Sequence, residues 1–351
     1  MAKVDTIIVG GGLAGSILAM QHQLWGKSYV LFDGNWPKAS SVAAGIFNPM
    51  VFRRLVKSWM ADDILPYAEY FYKQFETDLN AHFFYPLSYY KLLGKDEAEF
   101  WLRRAQHGEN KPYLSSVIEQ YEELKHVHHP YGAAKVFHAG WLNLKVLLNT
   151  SHELWEKQNL IRHINVDYDR FQFNRAGVQY GEVIANRVVF CEGCTVNQNP
   201  WFQNLPFKHT KGEILTIRSE QLKIDSIVNK KIFILPLGNS LFRVGATYNW
   251  SALDNSPTEE GRTELEQSLQ LLLKVPYQLV DHKAGLRPTT NDRRPLLGAH
   301  PAERKCFIFN GLGSKGVMLA PYFANHLMEH IFKGKPLNHE VDTNRYIRYF
   351  I

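Results

Sequence analysis

The stretch TIIVGGGLAGS, near the start of this 351-residue chain, constrains its fold more than any other. Gly10, Gly12 and Gly15 have the G-x-G-x-x-G spacing, and the residues on both sides supply the context that spacing needs. Val4 to Val9 reads as a buried strand, and Leu13, Ile17, Met20 and Leu24 then recur at helical intervals up to Gly26. SYVLFD reads as a second strand ending at Asp33, 18 positions after Gly15. This β-turn-α-β unit is the dinucleotide-binding arrangement. Gly10 permits the tight turn, Gly12 lets the backbone approach a pyrophosphate, and Gly15 lets helix and strand pack closely. The N–H groups of Gly12, Leu13 and Ala14 open the helix, where free donors and the helix dipole favour a phosphate. Asp33 is placed to accept hydrogen bonds from an adenosine ribose.

A second loop, IFNGLGSKGV, repeats the spacing at Gly311, Gly313 and Gly316, between a strand (KCFIFN) and a helix beginning at Val317. Only 35 residues follow Gly316, and they contain no apolar strand ending in an acid. A second mononucleotide unit cannot be completed there, so this loop brings a helix N-terminus close to something other than a second adenosine.

The length suggests two domains more than one. The formal net charge of +6 is mild: it favours anionic cofactors or substrates and is too small by itself to indicate nucleic acid. Three cysteines make no disulfide framework and fit a reducing compartment, so cytoplasmic is the expected location. Thr6 to Gly26 lacks Asp, Glu, Lys and Arg, but its central glycines indicate strand, turn and helix rather than a membrane span.

Further along, Asp62–Asn80, KDEAEFWLRRAQ, GWLNLKVLLNTSHELWEKQ and Glu259–Lys274 read as helices. HFFYPLSYYKLLG, INVDYDRFQF and VIANRVVFCEG read as strands, and Lys211–Tyr248 as β-rich.

Several of these segments together resemble the D-amino-acid oxidase superfamily of FAD enzymes, which includes glycine oxidase and sarcosine oxidase. DTIIVGGGLAGSILA is similar to the family's FAD fingerprint, ASSVAAGIFNP to its flavin-wrapping loop, and ANRVVFCEGC to a strand ending in Ala-x-Gly. HTKGEILTI and LFRVGATY resemble two strands of its substrate domain. AGLRPTTNDRRPLLG followed by GLGSKGVMLAP is the most specific match. The resemblance implies an α/β fold: a Rossmann-like FAD-binding domain of the glutathione-reductase type, with an inserted α+β substrate domain on a mostly antiparallel sheet. It assigns 1–80, 133–200 and 283–351 to the discontinuous FAD domain, and 81–132 and 201–282 to the substrate domain.

It further implies noncovalent FAD, contacted by Ser40, Ser41, Ala44, Gly45, Val166 and Gly193 besides the first glycine loop. The second loop then lies beneath the pyrimidine end of the flavin. There Gly311, Gly313, Ser314, Lys315, Gly316 and Val317 would stabilise charge on the reduced ring. Arg287, in the family's Gly-Leu-Arg-Pro, is expected to hold a substrate carboxylate with its planar fork, unless it forms an internal ion pair with Asp292. Arg53 and Arg54 are further candidates for binding substrate.

The implied reaction oxidises the C–N bond of an amino acid or secondary amine. Hydride passes from Cα to flavin N5, and the resulting imine hydrolyses, with oxygen or a quinone as terminal acceptor. A tyrosine that helps hold the carboxylate in glycine oxidase-like members is replaced by Phe233. GLGSKGVMLAP also resembles the oxidase half of a bifunctional tRNA wobble-uridine enzyme, which leaves nucleic acid open as a partner. The replacement at Phe233 leaves room for a protein that binds FAD without turnover. The first glycine loop alone would also suit a nicotinamide-linked dehydrogenase, and the Gly-Leu-Arg-Pro segment counts against that.

Cys191 and Cys194 form a C-x-x-C at a strand end, where packing is a better expectation than redox chemistry. His126, His128 and His129 read as a solvated loop rather than a metal site. Tyr85, Tyr89 and Tyr90 read as core aromatics with the option of lining a pocket.

Overall fold

A computed structural model describes residues 2–350. The first strand, Ala2–Val9, is central to a parallel array in the order Ile161–Arg162, Tyr29–Phe32, Ala2–Val9, Val183–Phe190, Cys306–Asn310. An antiparallel edge, Leu296–Ala299, completes one side, and Gly177–Tyr180 and Phe171–Asn174 are attached through Val183–Phe190. Parallel strands covered on both faces read as continuous apolar runs. Tyr29–Phe32 and Cys306–Asn310 are accordingly buried at every position. Helices Leu13–Leu24, Ala61–Leu79 and Gly316–Lys333 cover one face, with Ile17, Met20, Phe71, Phe323 and Leu327 in a common core.

A second sheet has eight strands in the order Gln278–Arg287, Thr210–Arg218, Leu241–Gly245, Phe233–Gly238, Ile227–Asn229, Tyr89–Leu92, Ala133–Val136, Leu114–Glu119. Its pairings are antiparallel except between Ile227–Asn229 and Tyr89–Leu92. Side chains alternate between its two faces, as the strand period requires. Tyr90, Leu215, Ile234 and Val244 go to a core shared with Leu265 and Leu269 of helix Glu259–Leu272. Tyr89, Ile214, Phe233 and Gly245 take the other face, towards the first domain. Ile46–Phe47, Gly140–Leu142 and Phe84–Pro86 form a small antiparallel sheet with Gly140–Leu142 in the middle.

Three segments depart from the sequence reading. Ala133–Val136 belongs to the second sheet, so that unit runs past residue 132. GWLNLKVLL is not continuous helix: Gly140–Leu142 pairs as a strand, and the Asn143 side chain then caps helix Leu144–Lys157 by accepting from the Val146 N–H at 3.3 Å. INVDYDRFQF holds a 3₁₀ turn at Tyr168–Arg170, started by the Asp167 side chain, and only Phe171–Asn174 is strand. No helix among the described residues is long and apolar enough to cross a membrane.

Candidate functional site

Three parallel strands end on one cavity of about 590 Å³, which the front face of the second sheet closes. Gly10 and Gly12 follow the first strand, Cys191, Glu192 and Gly193 follow Val183–Phe190, and Leu312 and Gly313 follow Cys306–Asn310. Open α/β sheets bind ligands at this end, outside the carboxyl termini of their strands.

The first glycine turn has the expected build. Leu13 and Ala14 line the cavity at the start of helix Leu13–Leu24. Gly15 lies beneath: a Cβ there would stand 1.9 Å from the Gly10 carbonyl oxygen, so helix and strand could not approach as they do. Ser40, Ala44 and Gly45 line the cavity opposite. The Ser40 hydroxyl is buried without a partner among the described residues, which leaves it for a ligand. Free N–H groups at a helix start and an unpartnered hydroxyl suit a dinucleotide pyrophosphate.

At the second loop, Gly313, Ser314, Gly316 and Val317 line the cavity where helix Gly316–Lys333 begins. Its N-terminal end therefore faces the space, whereas Gly311 does not line the cavity and is buried against Thr290, Arg294 and Leu296.

Several expected residues lie elsewhere. Asp33 is buried behind the wall, where Oδ1 accepts from the Gly11 N–H at 2.9 Å and Oδ2 from the Lys38 ammonium at 2.7 Å. Lys38 itself lines the cavity. Lys315 turns away from the space. Its ammonium donates to the carbonyls of Asn48 (3.3 Å) and Met50 (3.2 Å) and to the Ser58 hydroxyl, bracing that loop. Burial lowers its pKa to about 8. Arg53 and Arg54 are exposed on the turn between Met50–Val51 and Val56–Lys57, whereas their neighbour Phe52 lines the cavity. Ser41 is exposed and donates to the Lys38 carbonyl at 2.7 Å, and Val166 joins the apolar cluster behind the parallel sheet.

Arg287 is the last residue of Gln278–Arg287 and lines the cavity. It pairs across the ladder with Thr210 and extends over Gly212, where a Cβ would meet Nη2 at 1.9 Å. Nη1 donates to the Lys211 carbonyl at 3.2 Å and Nη2 to the Thr247 carbonyl at 3.3 Å, while Tyr248 covers the guanidinium at 4.3 Å. No carboxylate pairs with it among the described residues. Asp292, considered above as its internal partner, binds Arg345 instead at 2.9 Å.

Much of the remaining wall carries no recognisable motif in the sequence. Tyr248 ends the strand-like LFRVGATY, but nothing in that stretch places its ring over Arg287. His209, just before Thr210, lines the cavity with Nδ1 3.6 Å from the Cys194 sulfur, and Nε2 is buried without a partner among the described residues. Burial pushes the Cys194 thiol up to about 12, so it stays protonated at neutral pH. Phe233 contributes an apolar wall, and Tyr89 lines the cavity while Tyr90 points into the core.

A dinucleotide-binding domain thus shares one cavity with a mostly antiparallel domain that presents an arginine with no acidic partner among the described residues, the architecture of a two-domain flavoenzyme. The model of the FAD dependent oxidoreductase family (DAO) matches residues 5–330, and the chain belongs to that family. It is an FAD-dependent oxidoreductase. Glycine oxidase of Bacillus subtilis (strain 168) is 23% identical over 345 residues, covering 90% of each chain. The tRNA 5-methylaminomethyl-2-thiouridine biosynthesis bifunctional protein MnmC of Legionella pneumophila (strain Lens) is 24% identical over 322 residues. That match takes in 84% of this chain and 45% of the MnmC protein, so the chain spans under half of it. Among solved structures, iminodiacetate oxidase of Chelativorans sp. BNC1 superimposes with a TM-score of 0.77 at 20% identity, over 97% of this chain and 98% of that one.

Proposed function

We propose that this protein oxidises the C–N bond of a carboxylate-bearing amine, an amino acid or an N-substituted glycine, with noncovalent FAD. The observation that carries the reading is Arg287: a guanidinium inside the cavity, held by two carbonyls and a ring face, with no acidic partner among the described residues. Such a half-buried cation without a counter-ion favours an anionic ligand. The carbonyls of Lys211 and Thr247 fix the plane of the fork, so a carboxylate meets it in one orientation, which sets the position of Cα. Phe233, Ile214 and Tyr89 keep the surrounding wall apolar, and an amine bound there loses less by being neutral than by being charged.

Ser40, the Gly10–Ala14 turn and the start of helix Gly316–Lys333 are the groups proposed to hold the cofactor. When bound, FAD supplies the two-electron acceptor for the C–H bond next to nitrogen. The relatives named for oxidising glycine and iminodiacetate support a substrate of this class.

Anaerobic mixing of the FAD-loaded protein with glycine, N-methylglycine, iminodiacetate and D-amino acids tests the reading. Loss of the oxidised-flavin absorbance with at least one of them is expected. A fully loaded protein that no member of the panel bleaches is a passive FAD binder, and the proposal then fails.

A further inference from the structure

The rim of the cavity beside Arg287 presents two aromatic rings to solvent. Tyr248 is 55% exposed and Trp250 54% exposed, with ring centroids 6.2 Å apart and planes within 29° of each other. The guanidinium of Arg287 occupies a face of Tyr248, and the exposed ring surface continues outward to Trp250. Leu253, 49% exposed, extends the apolar surface and lines the cavity.

This loop is anchored rather than loose. Lys211 and Asn249 exchange both backbone hydrogen bonds, at 2.8 and 3.0 Å. The Asn249 side chain accepts from the N–H groups of Ser251 and Ala252. The buried ammonium of Lys211 binds Asp254 at 2.7 Å. Large rings exposed side by side to water carry a hydration cost without a folding gain, and contiguous apolar surfaces of this kind mark binding sites.

We propose that Tyr248 and Trp250 form a stacking platform that selects substrates whose amine or side chain carries a planar aromatic or heteroaromatic ring. This rests on the carboxylate being held at Arg287. The anionic end is then anchored under Tyr248, and the distal part of the molecule leaves the cavity across the two rings. Continuity between platform and cavity identifies the occupant as the outer part of the substrate itself. An aromatic side chain and a nucleobase offer the same flat face.

Two measurements test this. The first needs no turnover: dissociation constants of the inert carboxylates indole-2-carboxylate and acetate are read from perturbation of the flavin spectrum. Indole-2-carboxylate is expected to bind at least about tenfold more tightly, and Trp250→Ala to remove most of that difference while Trp250→Phe keeps it. The second compares kcat/KM for N-benzylglycine, a nucleoside-linked N-substituted glycine and N-methylglycine. The ratio of ring-bearing to methyl substrate is expected to fall about tenfold in Trp250→Ala, and the preferred ring identifies which kind of ring the platform serves. Equal binding of the two inert carboxylates, or ratios unchanged within about twofold in a variant that keeps its flavin and melting temperature, would overturn the platform. So would a Trp250→Ala protein that dissociates from a dimer while its ring preference stays, since the rings would then serve a second copy. If glycine bleaches the flavin but rings confer no advantage, only the platform is lost. If indole-2-carboxylate binds preferentially but no amine bleaches the flavin, the oxidation reading is what fails.

Discussion

Between Tyr168 and Asn199, the Glu192 carboxyl has two hydrogen-bond partners, at 2.7 and 2.8 Å, and is only 6% exposed. Burial raises its pKa to about 7 despite those partners. The folded protein therefore keeps a proton that the unfolded chain releases near 4.5. Unfolding sheds that proton between pH 4.5 and 7, so stability falls as pH rises through this window and levels off above it. The penalty is on the order of 3 kcal/mol at most. Urea unfolding from pH 4 to 8 should show this decline in the native protein and a flatter profile in Glu192→Gln. Its amide can satisfy the same two neighbours. Identical profiles would place the ionisation elsewhere. Arg287 could be singled out in advance because it stands in a motif, Gly-Leu-Arg-Pro. Lys315 was legible in the chain but not in space, because the carbonyls that capture its ammonium belong to Asn48 and Met50, more than 260 positions away in sequence. Tyr248 and Trp250 were invisible for a related reason: nothing in a loop sequence says which aromatic rings the fold will leave exposed at a cavity rim.

At the level of elements, the strand-turn-helix at the N-terminus was legible because each of its requirements is local: an apolar strand, three glycines, then a helical period. Its weakest tolerance is at Gly15. A methyl group 1.9 Å from the Gly10 carbonyl must push helix Leu13–Leu24 off the first strand, an overpacking that costs about 1–3 kcal/mol. Gly15→Ala is therefore expected to lower the melting temperature and the flavin-to-protein ratio together. A variant with full flavin content would show that this approach does not shape the cofactor site. The elements that escaped the reading depend on distant partners. Gly140–Leu142 is a strand because Ile46–Phe47 and Phe84–Pro86 pair with it, and the helical pattern of the next residues hid that. The alternation of Tyr89 and Tyr90 could be read as a strand, but not that Tyr89 would meet the cavity and Tyr90 the core behind the sheet.

For the whole molecule, the two large sheets meet across one cavity, and the proposed cofactor groups come from opposite ends of the chain, residues 10–40 and the loop before Gly316. A ligand that bridges them stabilises the native state by mass action, about 2.7 kcal/mol at a hundredfold excess over its dissociation constant. Added FAD should raise the melting temperature of flavin-depleted protein in a concentration-dependent way, and ADP, which reaches only the first glycine turn, should raise it less. Equal shifts from both would mean that the second loop contributes nothing to holding the cofactor.

The central claim is that a carboxylate anchored on Arg287 positions the C–N bond for oxidation. Its most direct test is the rate of anaerobic flavin reduction by a substrate from the panel and by its decarboxylated analogue, in the native protein and in Arg287→Ala. The native protein should reduce its flavin much faster with the carboxylated amine, and the variant should lose that advantage, about 2–5 kcal/mol in kcat/KM. Equal rates for the two amines in the native protein, or an advantage that survives in Arg287→Ala, would contradict the account.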